Sequence, residues 1–179
     1  PGKSLVGIEV PNSAKTTIGL GSLLSERSYQ ESDKPLLVAL GKDVAGESHF
    51  GNIGRMPHAL IAGATGSGKS VTIHAIVTSL LFRNPPENLK FIMIDPKRVE
   101  LAVFNNLPHL LTPVVTDSKK VAGVLSWVVN EMDSRYELFA SSGVRNIDLY
   151  NEKAGKDAGE RLPYVVVIID ELADLMMVA

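Results

Sequence analysis

No cysteine occurs among the 179 residues, which excludes a disulfide framework, a cysteine-based zinc site and thiol redox chemistry, and fits a reducing, intracellular setting. Long apolar runs are missing too. The longest, Tyr164-Val165-Val166-Val167-Ile168-Ile169, falls far short of the about 20 residues that cross a bilayer. Residues 1–10 lack the basic-then-apolar order of a signal peptide. The segment is therefore expected to be soluble and to make no membrane contact. An excess of positive charge is also lacking: 18 Lys and Arg stand against 20 Asp and Glu, a formal net charge of −2, where a DNA-coating protein is usually basic. Any contact with nucleic acid must come from a local patch or from residues outside this sequence. There is no internal repeat and no low-complexity tract. What remains is 45% hydrophobic and 21% charged, the balance of a globular chain long enough to bury a real core.

Residues 1–35 read as irregular, punctuated by Gly19-Leu20-Gly21 and Ser22, with the polar run 25–34 as a solvated connection. They are expected to form a segment that leads into a core spanning 36–179. From Leu36 the texture changes. Leu36-Leu37-Val38-Ala39-Leu40, Ala59-Leu60-Ile61-Ala62, Phe91-Ile92-Met93-Ile94 and Val165-Val166-Val167-Ile168-Ile169 are short continuous apolar runs. Such runs belong to parallel strands covered on both faces. Between them lie helical patterns. Residues 69–83 carry Ile73, Ile76, Val77, Leu80 and Leu81 on one side and stop at Asn84-Pro85-Pro86. Residues 118–140 place Val121, Leu125, Val128, Met132, Tyr136 and Phe139 on one face as core packing, with Asp117 to cap the start and Gly143 past the end. A shorter helix is expected over 146–154. Strands alternating with helices of these lengths mean α/β: a mostly parallel sheet with helices on both faces.

Residues 63–70, Gly63-Ala64-Thr65-Gly66-Ser67-Gly68-Lys69-Ser70, match G-x-x-x-x-G-K-[ST] at every fixed position. This Walker A loop, or P-loop, wraps a triphosphate with backbone N–H groups, and side chains would hold the backbone away. Gly63, Gly66 and Gly68 remove that obstacle and permit the unusual dihedrals of the wrap. The helix opening at Lys69 turns its positive end to the phosphates. Lys69 is expected to reach the β- and γ-phosphates of ATP and the Ser70 hydroxyl to ligate Mg²⁺. The nucleotide-binding set is Gly63, Ala64, Thr65, Gly66, Ser67, Gly68, Lys69, Ser70 and the next residue, Val71.

The fourth apolar run ends in Asp170 and Glu171, the form of a Walker B strand. An aspartate at the tip of a buried strand is well placed to hold the Mg²⁺ shell. Glu171 can orient and deprotonate the water that attacks the γ-phosphate, which makes Glu171 and Lys69 the expected catalytic residues. Two adjacent acids favour an ATP hydrolase over a small GTPase, and no Asn-Lys-x-Asp guanine-reading motif occurs.

Together these residues resemble the FtsK/SpoIIIE motor family. The likeness is carried by Met56-Pro57-His58-Ala59-Leu60-Ile61-Ala62 leading into the P-loop, by Phe91-Ile92-Met93-Ile94-Asp95-Pro96-Lys97, by Leu107-Pro108-His109-Leu110-Leu111 and by Val114-Val115-Thr116-Asp117. Asn130-Glu131-Met132, Arg135-Tyr136, Gly143-Val144-Arg145-Asn146, Tyr150-Asn151 and Asp170-Glu171-Leu172-Ala173-Asp174-Leu175-Met176 continue it. The resemblance implies a RecA-like ATPase core that assembles as a ring, commonly a hexamer, around double-stranded DNA. Its members move chromosomes at division or sporulation and are anchored to the inner membrane by N-terminal segments, the motor itself being cytoplasmic. It also places a further strand with a polar sensor, the DNA-contacting pore loops and a winged-helix module after Ala179. The sequence is thus expected to hold the first part of a motor core, truncated after the Walker B strand.

Other residues keep two readings. Asp95 and Lys97 either contact phosphate, Mg²⁺ or a neighbouring subunit, or simply cap a strand end. Arg135 and Arg145 either reach a neighbour's nucleotide as arginine fingers or pair with local acids. His58 and His109 lack metal-ligand spacing and are expected to be structural. The reading is a Mg²⁺-dependent ATPase that translocates double-stranded DNA. The alternatives are a related ring ATPase for protein secretion or conjugative transfer, marked by tandem, partly degenerate motor domains, and a non-catalytic nucleotide switch, which has no need of Glu171.

Overall fold

A computed structural model describes residues 8, 10, 16–157 and 159–177 of the chain. The chain divides into two compact units, residues 1–80 and 81–179. In the first, α1 (Leu20–Leu24) and α2 (Arg27–Gln30) precede a hairpin of β1 (Leu37–Lys42) and β2 (Ser48–Asn52). A single 3-10 turn, Ile53–Arg55, and the P-loop follow, and α3 (Lys69–Arg83) starts here and runs three residues past the division.

The polar run 25–34 is more than a solvated connection. Leu23 and Leu24 of α1 and Tyr29 of α2 are buried with Leu37 and Ala39 of β1. The Tyr29 ring lies 5.6 Å from that of Phe50 on β2, and its hydroxyl donates to the Ser79 carbonyl of α3 at 2.6 Å. An apolar ring with a polar tip is well suited to such a junction. Those apolar residues, scattered among charged ones, left too weak a period to announce two helices of only five and four residues. Residues 1–7, 9 and 11–15 of the expected N-terminal segment lie outside the described residues.

Ser79 is the second fastening point of this unit. Its hydroxyl donates to Ala75 O (2.7 Å) and accepts from Ala39 N (3.2 Å), tying α3 to β1. The hairpin turn is built by Asp43, whose Oδ1 accepts from Ala45 N and Glu47 N, both at 2.9 Å. β1 and β2 run antiparallel, with Ala39 opposite Phe50 and a bulge at Leu40. The expected strand at Ala59-Leu60-Ile61-Ala62 is absent: these residues have no regular structure, and Leu60 is 81% exposed. Four apolar residues stay extended in a sheet only when a neighbour pairs with them, and among the described residues none does.

The second unit holds β3 (Leu89–Ile94), a 3-10 turn at Ala102–Phe104, α4 (Ser118–Ser141), α5 (Ile147–Lys156), β4 (Tyr164–Ile169) and α6 (Leu172–Met176). β3 and β4 are parallel, in register from Leu89 opposite Tyr164 to Ile94 opposite Ile169. On its other edge β3 is bridged, also in parallel, by Leu110 and Val115. Paired on both edges, β3 is almost wholly buried, whereas β4 is half-buried along its length. A parallel pair needs a long crossover, and α4 with α5 supplies it. The expected parallel character thus holds for β3, β4 and the two bridges, while β1–β2 adds an antiparallel ribbon.

Asp117 caps α4 by accepting from Lys119 N at 3.0 Å, and Gly143, at φ 69°, ends it with Val144 N bonded to Phe139 O. Val121, Val124, Leu125 and Val128 pack on Ile92, Ile94, Val165, Val167 and Ile169. The same helical face was expected to bury Met132 and Tyr136, but they are 45% and 60% exposed. Length explains the difference. The 24 residues of α4 span about 36 Å, and the six residues of β4 about 20 Å. The helix outruns the sheet, and Phe139 near its end is buried instead, 5.7 Å from the Tyr150 ring of α5. Among the described residues no helix is long and apolar enough to cross a membrane.

Candidate nucleotide-binding and hydrolysis site

The P-loop of the first unit has the backbone that its glycines were expected to permit. Gly66 and Gly68 sit at φ 82° and 100°, where an L side chain is strained. Gly63 has no such dihedral, yet a Cβ there would collide with Ser67 Oγ. Ser67 N bonds to Ala64 O at 2.9 Å and closes the turn. The helix α3 starts at Lys69, and Thr72 bonds to Gly68 O through both its N–H and its hydroxyl. Residues 62–67 are exposed, and Gly68, Lys69 and Ser70 are half-buried. Val71 is 72% exposed, and since its side chain is apolar, the group it can offer a phosphate is its backbone N–H. An exposed cradle of N–H groups on the positive end of a 15-residue helix is suited to a polyphosphate.

The second unit brings Asp95, Lys97, Asp170, Glu171 and Asp174 to the C-terminal ends of β3 and β4. Ligand sites of open α/β sheets form at such strand ends. Asp170 N bonds to Ile94 O at 2.9 Å, so the ladder runs on to the strand tips and sets Asp170 beside Asp95. Both carboxylates are buried, at 3% and 0% exposure. Asp95 Oδ2 accepts from Glu100 N (3.0 Å) and Leu101 N (2.9 Å) and curls residues 95–101 into a loop. Its Oδ1 has no hydrogen-bond partner among the described residues. A buried carboxylate oxygen left bare beside a second carboxylate is a hard-oxygen donor set, and it fits Mg²⁺.

Lys97 lies near the apex of the 95–101 loop. Its Nζ is 3.1 Å from Asp174 Oδ2 and 3.4 Å from Glu171 Oε2. Hydrogen bonding and charge from Asp174, with Glu171 adding to them, hold its ammonium above the ordinary lysine pKa despite some desolvation. Asp174 is the residue that the motif reading missed. Its signal was the spacing Glu171-Leu172-Ala173-Asp174, one helical turn. Glu171 itself is left-handed, at φ 54° and ψ 57°, as is Arg98 at φ 59°. For a residue with a Cβ this costs about 1–2 kcal/mol, and strain of this kind gathers at functional sites.

Of the two candidate fingers, Arg135 is engaged locally. Its guanidinium donates to Glu131 Oε1 (2.7 Å) and Pro163 O (2.8 Å), and the side chain is only 16% exposed. Arg145 is exposed just before α5. His109 is buried, with Nε2 2.8 Å from Asn84 O, and His58 is exposed.

A glycine-wrapped helix N-terminus in a chain whose parallel strands end in paired acids defines a P-loop nucleoside-triphosphatase fold. Solved structures agree. The pCW3 conjugation coupling protein TcpA, a monomer form with ATPγS, is 32% identical with a TM-score of 0.68, over 85% of this chain and 40% of that one. The cytoplasmic domain of the Thermomonospora curvata Type VII secretion ATPase EccC shares the fold at TM-score 0.69 and 23% identity, over 90% of this chain and 20% of that one. Within this class the chain belongs to the FtsK/SpoIIIE family, which matches residues 20–179. It is 54% identical to the DNA translocase FtsK of Clostridium tetani over 99% of its own length and 24% of that protein. It is 53% identical to the DNA translocase SftA of Bacillus subtilis over 100% of its length and 19% of that protein. The chain thus spans about a quarter or less of the length of these two translocases.

Proposed function

We propose that this chain is the ATP-hydrolysing part of a motor that translocates double-stranded DNA, in the service of chromosome partition. The observation that carries the choice of track is the likeness of the whole chain to DNA translocases at more than half identity. Identity falls to a third or less for the conjugation and secretion proteins. The motor core is taken as 36–179, with 1–35 leading into it and α1 and α2 fastened to β1. The motor works as a homo-oligomeric ring, a hexamer, and grips DNA through regions outside this sequence. In the complete protein it is a cytoplasmic domain attached to the inner cell membrane.

In this reading residues 63–68 wrap the phosphates with backbone N–H groups, joined by those of Lys69, Ser70 and Val71. Lys69 neutralises charge on the transferring phosphoryl group. Ser70 and Asp170 would hold Mg²⁺, and Asp95, whose Oδ1 has no hydrogen-bond partner among the described residues, would offer a further oxygen beside Asp170. The chemistry such an ion would supply there is neutralisation of charge on the phosphates. Glu171 takes the proton of the attacking water. Arg145, exposed and ahead of α5, is the better arginine finger, since Arg135 is committed to Glu131 and Pro163.

Lys69→Ala in the complete protein should abolish ATP hydrolysis. The parent rate should rise with protein concentration and with added duplex DNA, because in a ring one subunit completes the site of the next. The DNA effect should fade as salt rises, since phosphate contacts release counterions. A rate indifferent to DNA and to protein concentration overturns the translocase reading in favour of the secretion ATPase.

A further inference from the structure

We propose that Lys97 is a positioning residue for Glu171, anchored by Asp174 and aimed by the fold of the 95–101 loop. The inference rests on the assignment of Glu171 as the base. It begins with the loop. The two backbone N–H groups that Asp95 Oδ2 collects, from Glu100 and Leu101, fix where residues 96–99 must go. Arg98 N bonds to Asp95 O at 3.2 Å and Arg98 adopts φ 59°, which completes the reversal beside Lys97. The lysine, its side chain half exposed, is thereby set beside the neighbouring strand tip.

What it meets there is a pair of acids held apart by one turn of α6. Asp174 N bonds to Glu171 O at 3.1 Å, so the two carboxylates ride on one short rigid unit. The Lys97 ammonium bridges them, nearer to Asp174 than to Glu171. The unequal distances assign the roles: Asp174 anchors the lysine, and the lysine restrains the base. A flexible glutamate on a left-handed residue has many rotamers from which to approach a water, and only a few are productive. Restricting them raises the fraction of turnovers that begin from a working geometry, and near-attack placement of this kind is worth large factors in rate. Lys97 thus acts through Glu171, and its loss should leave nucleotide binding as it was.

The test is the steady-state ATPase of the complete protein with duplex DNA, comparing Lys97→Met, Lys97→Arg, Asp174→Asn and Glu171→Gln with the parent. Lys97→Met should lower kcat about tenfold with KM for ATP within about twofold of the parent. Lys97→Arg, which keeps a cation over both acids, should restore most of the rate. Asp174→Asn, which loosens only the anchor, should fall between parent and Lys97→Met. Direct binding of an ATP analogue and the thermal midpoint should be unchanged in each, which separates positioning from misfolding. A raised KM with unchanged kcat overturns the inference, because Lys97 then touches the nucleotide itself. So does an unchanged or faster kcat in Lys97→Met. Glu171→Gln keeps the two failures distinct. If it turns over normally the base assignment has failed, and if it is inactive while Lys97→Met is fully active only the positioning role has failed.

Discussion

Gly68→Ala isolates the backbone requirement of the P-loop. A Cβ at Gly68 would meet no atom within 4 Å, so sterics with neighbours contribute nothing. The whole penalty lies in φ, which is 100° here and costs an L-residue at least about 1–2 kcal/mol. At about 1.4 kcal/mol per decade this is roughly a 5–30-fold loss of nucleotide affinity. The loss falls on binding because residues 65–67 are exposed and the free loop can relax to a negative φ, giving up the cradle that the phosphates need. The control is Gly123→Ala. Gly123 lies in α4, exposed, with open space around its Cβ position and no positive φ. There alanine should stabilise by about 0.5–1 kcal/mol and leave binding alone. Gly63→Ala should be intermediate, since the clash with Ser67 Oγ is relieved by turning one side chain at about 1 kcal/mol. Titration with a fluorescent ATP analogue and Mg²⁺, with denaturant unfolding in parallel, reads both quantities. If Gly68→Ala binds as tightly as the parent, with stability unchanged, the reasoning about the loop is refuted.

Three further expectations follow from particular contacts. Glu171→Gln should keep Mg²⁺-ATP bound while turnover drops about a hundredfold or more in a steady-state ATPase assay, and normal turnover would send the search to another acid. Ser79→Ala, which strands the buried Ala39 N–H and removes the donor to Ala75 O, should cost about 1–3 kcal/mol in urea unfolding. Along α4, Tyr136→Ser should change stability by less than about 0.5 kcal/mol and Phe139→Ala should cost about 3–5 kcal/mol, the reverse of what equal membership of one buried face requires.

The P-loop, α3, β3, β4 and the start of α4 were legible because their signals are local. Glycines, a lysine, a capping aspartate or an unbroken apolar run each act within a few residues. The misreadings share another cause. Ala59-Leu60-Ile61-Ala62 looks like a strand, but pairing is supplied by a neighbour and not by the segment itself. Met132 and Tyr136 follow the same periodicity as Val128, and the pattern carries no word of where the sheet beneath them stops. α1 and α2 are too short to show a period, and Tyr29 is buried because β1 and α3 offer it a place. The Lys97–Glu171–Asp174 cluster joins residues more than 70 positions apart, as residues 97 and 171 are, and needed the register of β3 on β4 to be seen.

Positive φ is used differently in the P-loop and at the strand ends. In the P-loop the left-handed positions, Gly66 and Gly68, are glycine, because there the backbone does the work and a side chain would only obstruct. At the strand ends the left-handed residues are Glu171 and Arg98, each strained by about 1–2 kcal/mol. Glycine at Glu171 would relieve that strain and remove the carboxylate with it. The strain therefore has to be offset by surroundings that hold the backbone in place: the ladder bond from Asp170 N to Ile94 O on one side and the turn bond from Asp174 N to Glu171 O on the other. For Arg98 the same service comes from Asp95, which grips the loop through Glu100 N and Leu101 N. Asp95 is thus buried at its strand end with a structural task. One oxygen shapes the loop that carries Lys97, and the other has no hydrogen-bond partner among the described residues.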